Sequence, residues 1–143
     1  MAFLIAVIWR CPAYATPKDE ELKTNGRLLA CLVFSVHTIP LLNELGQAIK
    51  QNPANTEFKS ALDSVGGQSR IPLARFDTEF VIETISKRIS ERHIIEMNEN
   101  ISSNPMWILA NNLYTETTKN KSFNKQFHDA FNYTQSCIDE FIR

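Results

Sequence analysis

The sequence predicts an all-α protein: a compact bundle of five or six helices, its first and last helices open to linkage by a disulfide. Three observations carry that expectation. Apolar residues recur at three- and four-residue steps along most of the chain. Prolines and a glycine pair punctuate these runs at intervals suited to short helices. Alternating strand patterns joined by hairpin turns are missing from the sequence, and its one Asn-Gly pair, Asn25-Gly26, falls inside a helical run.

The first helix starts at Thr16-Pro17-Lys18-Asp19-Glu20-Glu21, where threonine can cap, proline suits the first position and the acids favour the positive end of the dipole. It runs to about His37, with Gly26 a weak point. Its second half, Leu28 to Val36, is apolar on nearly every side, as expected of a central buried element. Pro40 forces a break or restart, after which Leu41, Leu42, Leu45 and Ile49 mark a short helix ending at Asn52-Pro53. Asn55 can cap the next, with Phe58, Ala61, Leu62 and Val65 as its stripe and Gly66-Gly67 as its end. Beyond Pro72, a longer segment puts Leu73, Phe76, Phe80, Ile82, Ile85 and Ile89 on a buried side and continues to about Met97. Asn104-Pro105 opens a helix containing Trp107, Ile108, Leu109 and Leu113, and Thr115 to Lys121 reads as a loop. The last helix, capped by Ser122, has the clearest stripe: Phe123, Phe127, Ala130, Phe131, Thr134, Cys137, Ile138 and Phe141.

With 143 residues, 43% of them hydrophobic, the chain has the length of one domain and is too apolar to be disordered. A net charge of −1 argues against a general nucleic-acid surface, and the uncharged apolar runs are too short to span a bilayer. Residues 1–15 read as a signal peptide. Ala2 to Trp9 is apolar, Pro12 breaks a helix, and Ala13 and Ala15 suit signal peptidase, with cleavage before Thr16. No Lys or Arg precedes the apolar run, so a buried first element is the alternative reading. Cys11 lacks the small residue that a lipid-attachment site needs just before it.

Cleavage would leave a single helical domain, 16–143, with Cys31 and Cys137. In an oxidising compartment such a pair reads as one structural disulfide; otherwise the two are small buried hydrophobes. The chain lacks nucleotide-binding glycine fingerprints and the Gly-x-Ser-x-Gly elbow of hydrolases. His37, His93 and His128 belong to no paired metal motif, although His93 and Glu96 share a spacing that could put both on one helix face. His37 would end the first helix. The sequence therefore assigns no catalytic residue, no cofactor and no metal ligand. Lys87, Arg88 and Arg92 are bracketed by Glu83, Glu91 and Glu96, as on a solvated helix face.

These features favour a periplasmic or secreted α-helical binding protein, of the kind that inhibits an envelope enzyme or confers immunity to one. Its partner would be another protein, with no nucleic acid and no integral membrane span, and Met106, Trp107 and Tyr114 are candidates for the contact surface. One alternative is a cytoplasmic regulator using 58–80 as a helix-turn-helix corner, with Arg70 and Arg75 opening the second helix. Another is an enzyme whose active-site residues are dispersed in sequence.

Overall fold

In a computed structural model, residues 17–54, 56–94 and 103–142 are described. The proposed signal segment, the Asn55 cap and Glu96 lie outside them. Five α-helices follow in order: α1 (Pro17–Gln51), α2 (Lys59–Val65), α3 (Ile71–Glu91), α4 (Pro105–Thr118) and α5 (Phe123–Cys137). A 3₁₀ turn, Gln68–Arg70, leads into α3, and a wider π-type turn, Ile138–Ile142, extends α5. No strand occurs among the described residues.

The long α1 is the axis of the bundle. Leu28, Leu29, Leu32, Val33, Phe34, Leu42, Leu45 and Ile49 are all buried along it, and α3, α4 and α5 each pack on it. Full burial of such a side chain is worth about 1.5–3 kcal/mol, so most of the hydrophobic stabilisation passes through this one helix. Contrary to the expected break, α1 runs straight past Pro40. Proline here removes the bond to the carbonyl of Val36. Both residues are exposed, so water can take up the freed carbonyl. Continuity joins two apolar segments into one stretch with the length and hydropathy of a membrane-crossing helix, but 61% of that stretch is buried inside the bundle. The core accounts for its apolar character.

The cysteines of α1 and α5 form a disulfide, with Cα atoms 5.9 Å apart and both side chains wholly inaccessible to solvent. Beside it, Thr38 and Thr134 donate to the carbonyls of Phe34 and Ala130 four residues back, at 2.7 and 2.9 Å. Their hydroxyls also meet across the helix interface at 3.1 Å, so this polar seam is satisfied without water. At the outer end, Arg27 of α1 pairs with Glu140, and Arg88 of α3 donates to the Phe141 carbonyl at 2.7 Å.

The sequence signals hold at several boundaries. Ser122 accepts from the Lys125 amide, and Asn104 accepts from Met106 and Trp107. Gly66 adopts φ +102°, and the amides of Gly66 and Gly67 both close on the Leu62 carbonyl to end α2. Helix α3 stops at Glu91, short of Met97, because His93 turns left-handed at φ 54° and the Ile94 amide closes back on Ile89. Helix α4 continues to Thr118 through what read as a loop. Thr115, Thr117 and Thr118 bond their hydroxyls to carbonyls four residues back, which satisfies them inside a helix.

Gly26 sits in the body of α1 with nothing within 4 Å of the position a β-carbon would take. Gly26→Ala should therefore raise stability by about 0.5–1 kcal/mol in urea unfolding. Replacing both Cys31 and Cys137 with alanine should lower it by up to about 4–5 kcal/mol, since the bond closes a loop spanning a sequence separation of 106. A double variant within 1 kcal/mol of the parent would show that helix packing alone fixes the ends.

Candidate interaction surface

Two helices turn a stripe of large apolar side chains outward. On α3 the buried stripe is Ala74, Thr78, Val81, Ile85 and Ile89, whereas Leu73, Phe76 and Phe80, expected inside, are exposed, Phe76 by 65%. On α4 the inward positions are Trp107, Ala110, Tyr114 and Thr118, while Met106, Ile108, Leu109 and Leu113 are exposed, the last two by 71% and 60%. The side of α3 that packs on α1 is shared by Ala74 and Thr78 with the branched Val81, Ile85 and Ile89, and the phenylalanines lie on the adjoining stripe.

Of the contact residues expected from sequence, only Met106 is exposed. Trp107 is half-buried between the two core clusters, and Tyr114 lies in the core at 7% exposure. The Tyr114 ring stacks on His37 with centroids 4.0 Å apart, and burial pushes its phenol pKa up. His37 thus lies mid-helix rather than at a terminus, and its Nε2 is 3.1 Å from the Asn111 amide oxygen.

Helices α3 and α5 both lie along α1 but barely touch one another, which leaves a groove between them. Two adjoining cavities of about 310 and 280 Å³ make up this groove, and Asp77 and Gln135 line both. One half is apolar, walled by Phe76, Phe80, Val81, Ile138 and Ile142. The other is polar, with Ser64, Arg70 and Asn132. Val81 and Ile138 also belong to the apolar cluster around the disulfide, so the staple lies beneath the groove. A second hollow, about 530 Å³, opens between α4 and α5 beside Phe34, Leu113 and Tyr133.

The polar side chains show no assembled catalytic centre among the described residues. Ser64 Oγ lies 2.9 Å from His128 Nδ1, a pair the sequence did not suggest, but Ser64 also donates to the Ser60 carbonyl and both residues stand at the surface. Asp129, next to His128 in sequence, faces Lys121 and Lys125 instead. Partial burial alone would raise its carboxyl pKa; the two lysine hydrogen bonds together outweigh that and hold it below the usual carboxylate value. Cys31 and Cys137 are consumed by the disulfide. No three His, Cys, Asp or Glu side chains among the described residues come together as a metal site.

The corner at 58–80 does consist of two helices joined by a glycine turn. Its second helix presents Leu73, Phe76 and Phe80 together with Glu79, and Arg75 is engaged by Glu79 and Asn43 at 3.1 and 3.0 Å. An apolar and acidic face is poorly suited to phosphates. Comparison with protein-family models, with curated proteins and with solved structures finds no match.

If these outward side chains serve a surface and not the fold, their removal should cost little. Phe76→Ser should shift unfolding free energy by less than about 0.5 kcal/mol, whereas Phe127→Ala in the core should cost about 3–5 kcal/mol. Equal losses would place Phe76 among the residues that hold the fold together.

Proposed function

We propose that this chain is an exported helical protein that acts by binding another protein, in a periplasmic or extracellular setting. The observation that carries the reading is the buried Cys31–Cys137 disulfide joining the first and last helices. Such bonds persist in oxidising compartments and are rare in reducing ones. The apolar segment Ala2–Trp9 with Ala13 and Ala15 supports delivery to that setting by a cleaved leader. The binding role draws on the exposed apolar side chains that recur along one face each of α3 and α4. An inhibitor or immunity protein directed at an envelope enzyme is the form we favour, because such proteins act by occupying a surface and need no chemistry of their own.

Intact-mass spectrometry of protein purified from its natural source, with and without reductant, tests the location. The expected species begins at Thr16, gains two hydrogen masses on reduction, and yields no free thiol before it. A chain retaining Met1 with free Cys31 and Cys137 would overturn the reading and return the protein to the cytoplasm.

A further inference from the structure

The groove between α3 and α5 has a shape and charge pattern that specify an occupant. Leu73, Phe76 and Phe80 stand at i, i+3 and i+7 on one wall, a span of about 10 Å, or two helical turns. A partner helix with apolar residues at the same spacing would interdigitate with them and with Ile138 and Ile142 opposite. At the midpoint, Asp77 is half-buried and its carboxylate has no ion-pair or hydrogen-bond partner among the described residues; the Gln135 amide is likewise without one among them. Glu83 continues the Phe76–Phe80 face one turn further and is also unpaired among the described residues. Arg75 cannot neutralise this end, being tied to Glu79 and Asn43. Arg70 lines the polar cavity together with Asp77, but the two form no ion pair among the described residues.

We propose that this groove binds an amphipathic helix of a partner protein, with apolar side chains in the Phe76–Phe80–Ile138 half and a lysine or arginine on Asp77. This rests on the binding role above and supplies its site and the chemistry of its partner. An anionic membrane would be repelled by Asp77 and Glu83, and a second copy docked through α3 would bring the same two carboxylates face to face. A basic helix instead meets an unpaired, partly desolvated carboxylate, where a charge-assisted bond is strongest.

The test uses the oxidised full chain and a fluorescein-labelled amphipathic peptide of about 18 residues, long enough for five turns. It carries leucine at i, i+3, i+4 and i+7 and lysine on the flanks; a second peptide has glutamate for every lysine. Fluorescence anisotropy should show saturable binding of the lysine peptide and at least about tenfold weaker binding of the glutamate peptide. Phe80→Asp should weaken binding of the lysine peptide at least tenfold, and Asp77→Lys should reverse the preference between peptides. Circular dichroism of each variant guards against loss of fold, and the conservative Asp77→Asn should remove the preference without reversing it. Leu22→Asp, at an exposed leucine of α1 that lines neither half of the groove, should change nothing.

No saturable binding, equal binding of both peptides, or equal loss from the Leu22→Asp variant would overturn the proposal. So would a dimer in analytical ultracentrifugation that Phe80→Asp dissociates, since the groove would then be filled by a second copy. Failure of the peptide to bind, with Thr16 as first residue and the thiols oxidised, would remove this site and leave the export reading standing. An intact Met1 with free thiols would remove that reading whatever the peptide does.

Discussion

A covalent bond between the two most distant helices governs this molecule. Cys31 and Cys137 lie at facing positions of antiparallel helices, and everything from Arg27–Glu140 at one end to Thr38–Thr134 at the other keeps the register that bond sets. Helical bundles are rich in local contacts, and closing a long loop is the costly step in bringing their ends together. A staple between α1 and α5 lowers that cost in the unfolded ensemble, which leaves α2, α3 and α4 to find places along an axis already paired at its ends. The outer ion pair Arg27–Glu140, with both side chains substantially exposed, adds little by itself. Its contribution is to direct the π-type turn after Cys137 back over α3, where Arg88 holds the Phe141 carbonyl and lies over its ring.

Packing on α1 then selects which side chains remain outside. Ala74, Thr78, Val81, Ile85 and Ile89 face inward on α3, and Trp107, Ala110, Tyr114 and Thr118 do so on α4, while the leucines, isoleucine and phenylalanines of the neighbouring stripes lie toward solvent. The exposed hydrophobics and the buried core are thus set by the same contact surface. Helices α3 and α5 are each held on α1 and make little contact with one another, which leaves the groove between them.

This explains what could be read from the residues and what could not. Local chemistry was legible: Ser122 and Asn104 cap, Gly66 takes the left-handed position, and the spacing of Phe127, Ala130, Phe131, Thr134 and Cys137 marks the inner face of α5. The pairing of Cys31 with Cys137 was legible too, since both fell on apolar stripes of terminal helices. The inner faces of α3 and α4 were legible only in part: Ile85 and Ile89 are buried as expected, but Leu73, Phe76 and Phe80 are exposed. Periodicity marks two adjoining apolar stripes on each helix, and only the facing surface of α1 selects between them. Pro40 misled for a related reason, because its cost depends on whether the Val36 carbonyl meets water or protein. The groove, built from residues 60 positions apart, had no local signal beyond a carboxylate, Asp77, set among apolar neighbours.

The disulfide and the groove share side chains. Val81 and Ile138 belong to the apolar cluster that holds the cystine and also line the cavity, and Ile138 follows Cys137 directly in the chain. The bond therefore ties the chain just ahead of the Ile138–Ile142 wall to α1. The opposite wall belongs to α3, whose inner residues Ala74, Thr78 and Ile85 are buried and which packs on the same α1. Both sides of the groove are thus referred to one helix, and a helix docked there under the proposed binding role would meet two walls with a common support.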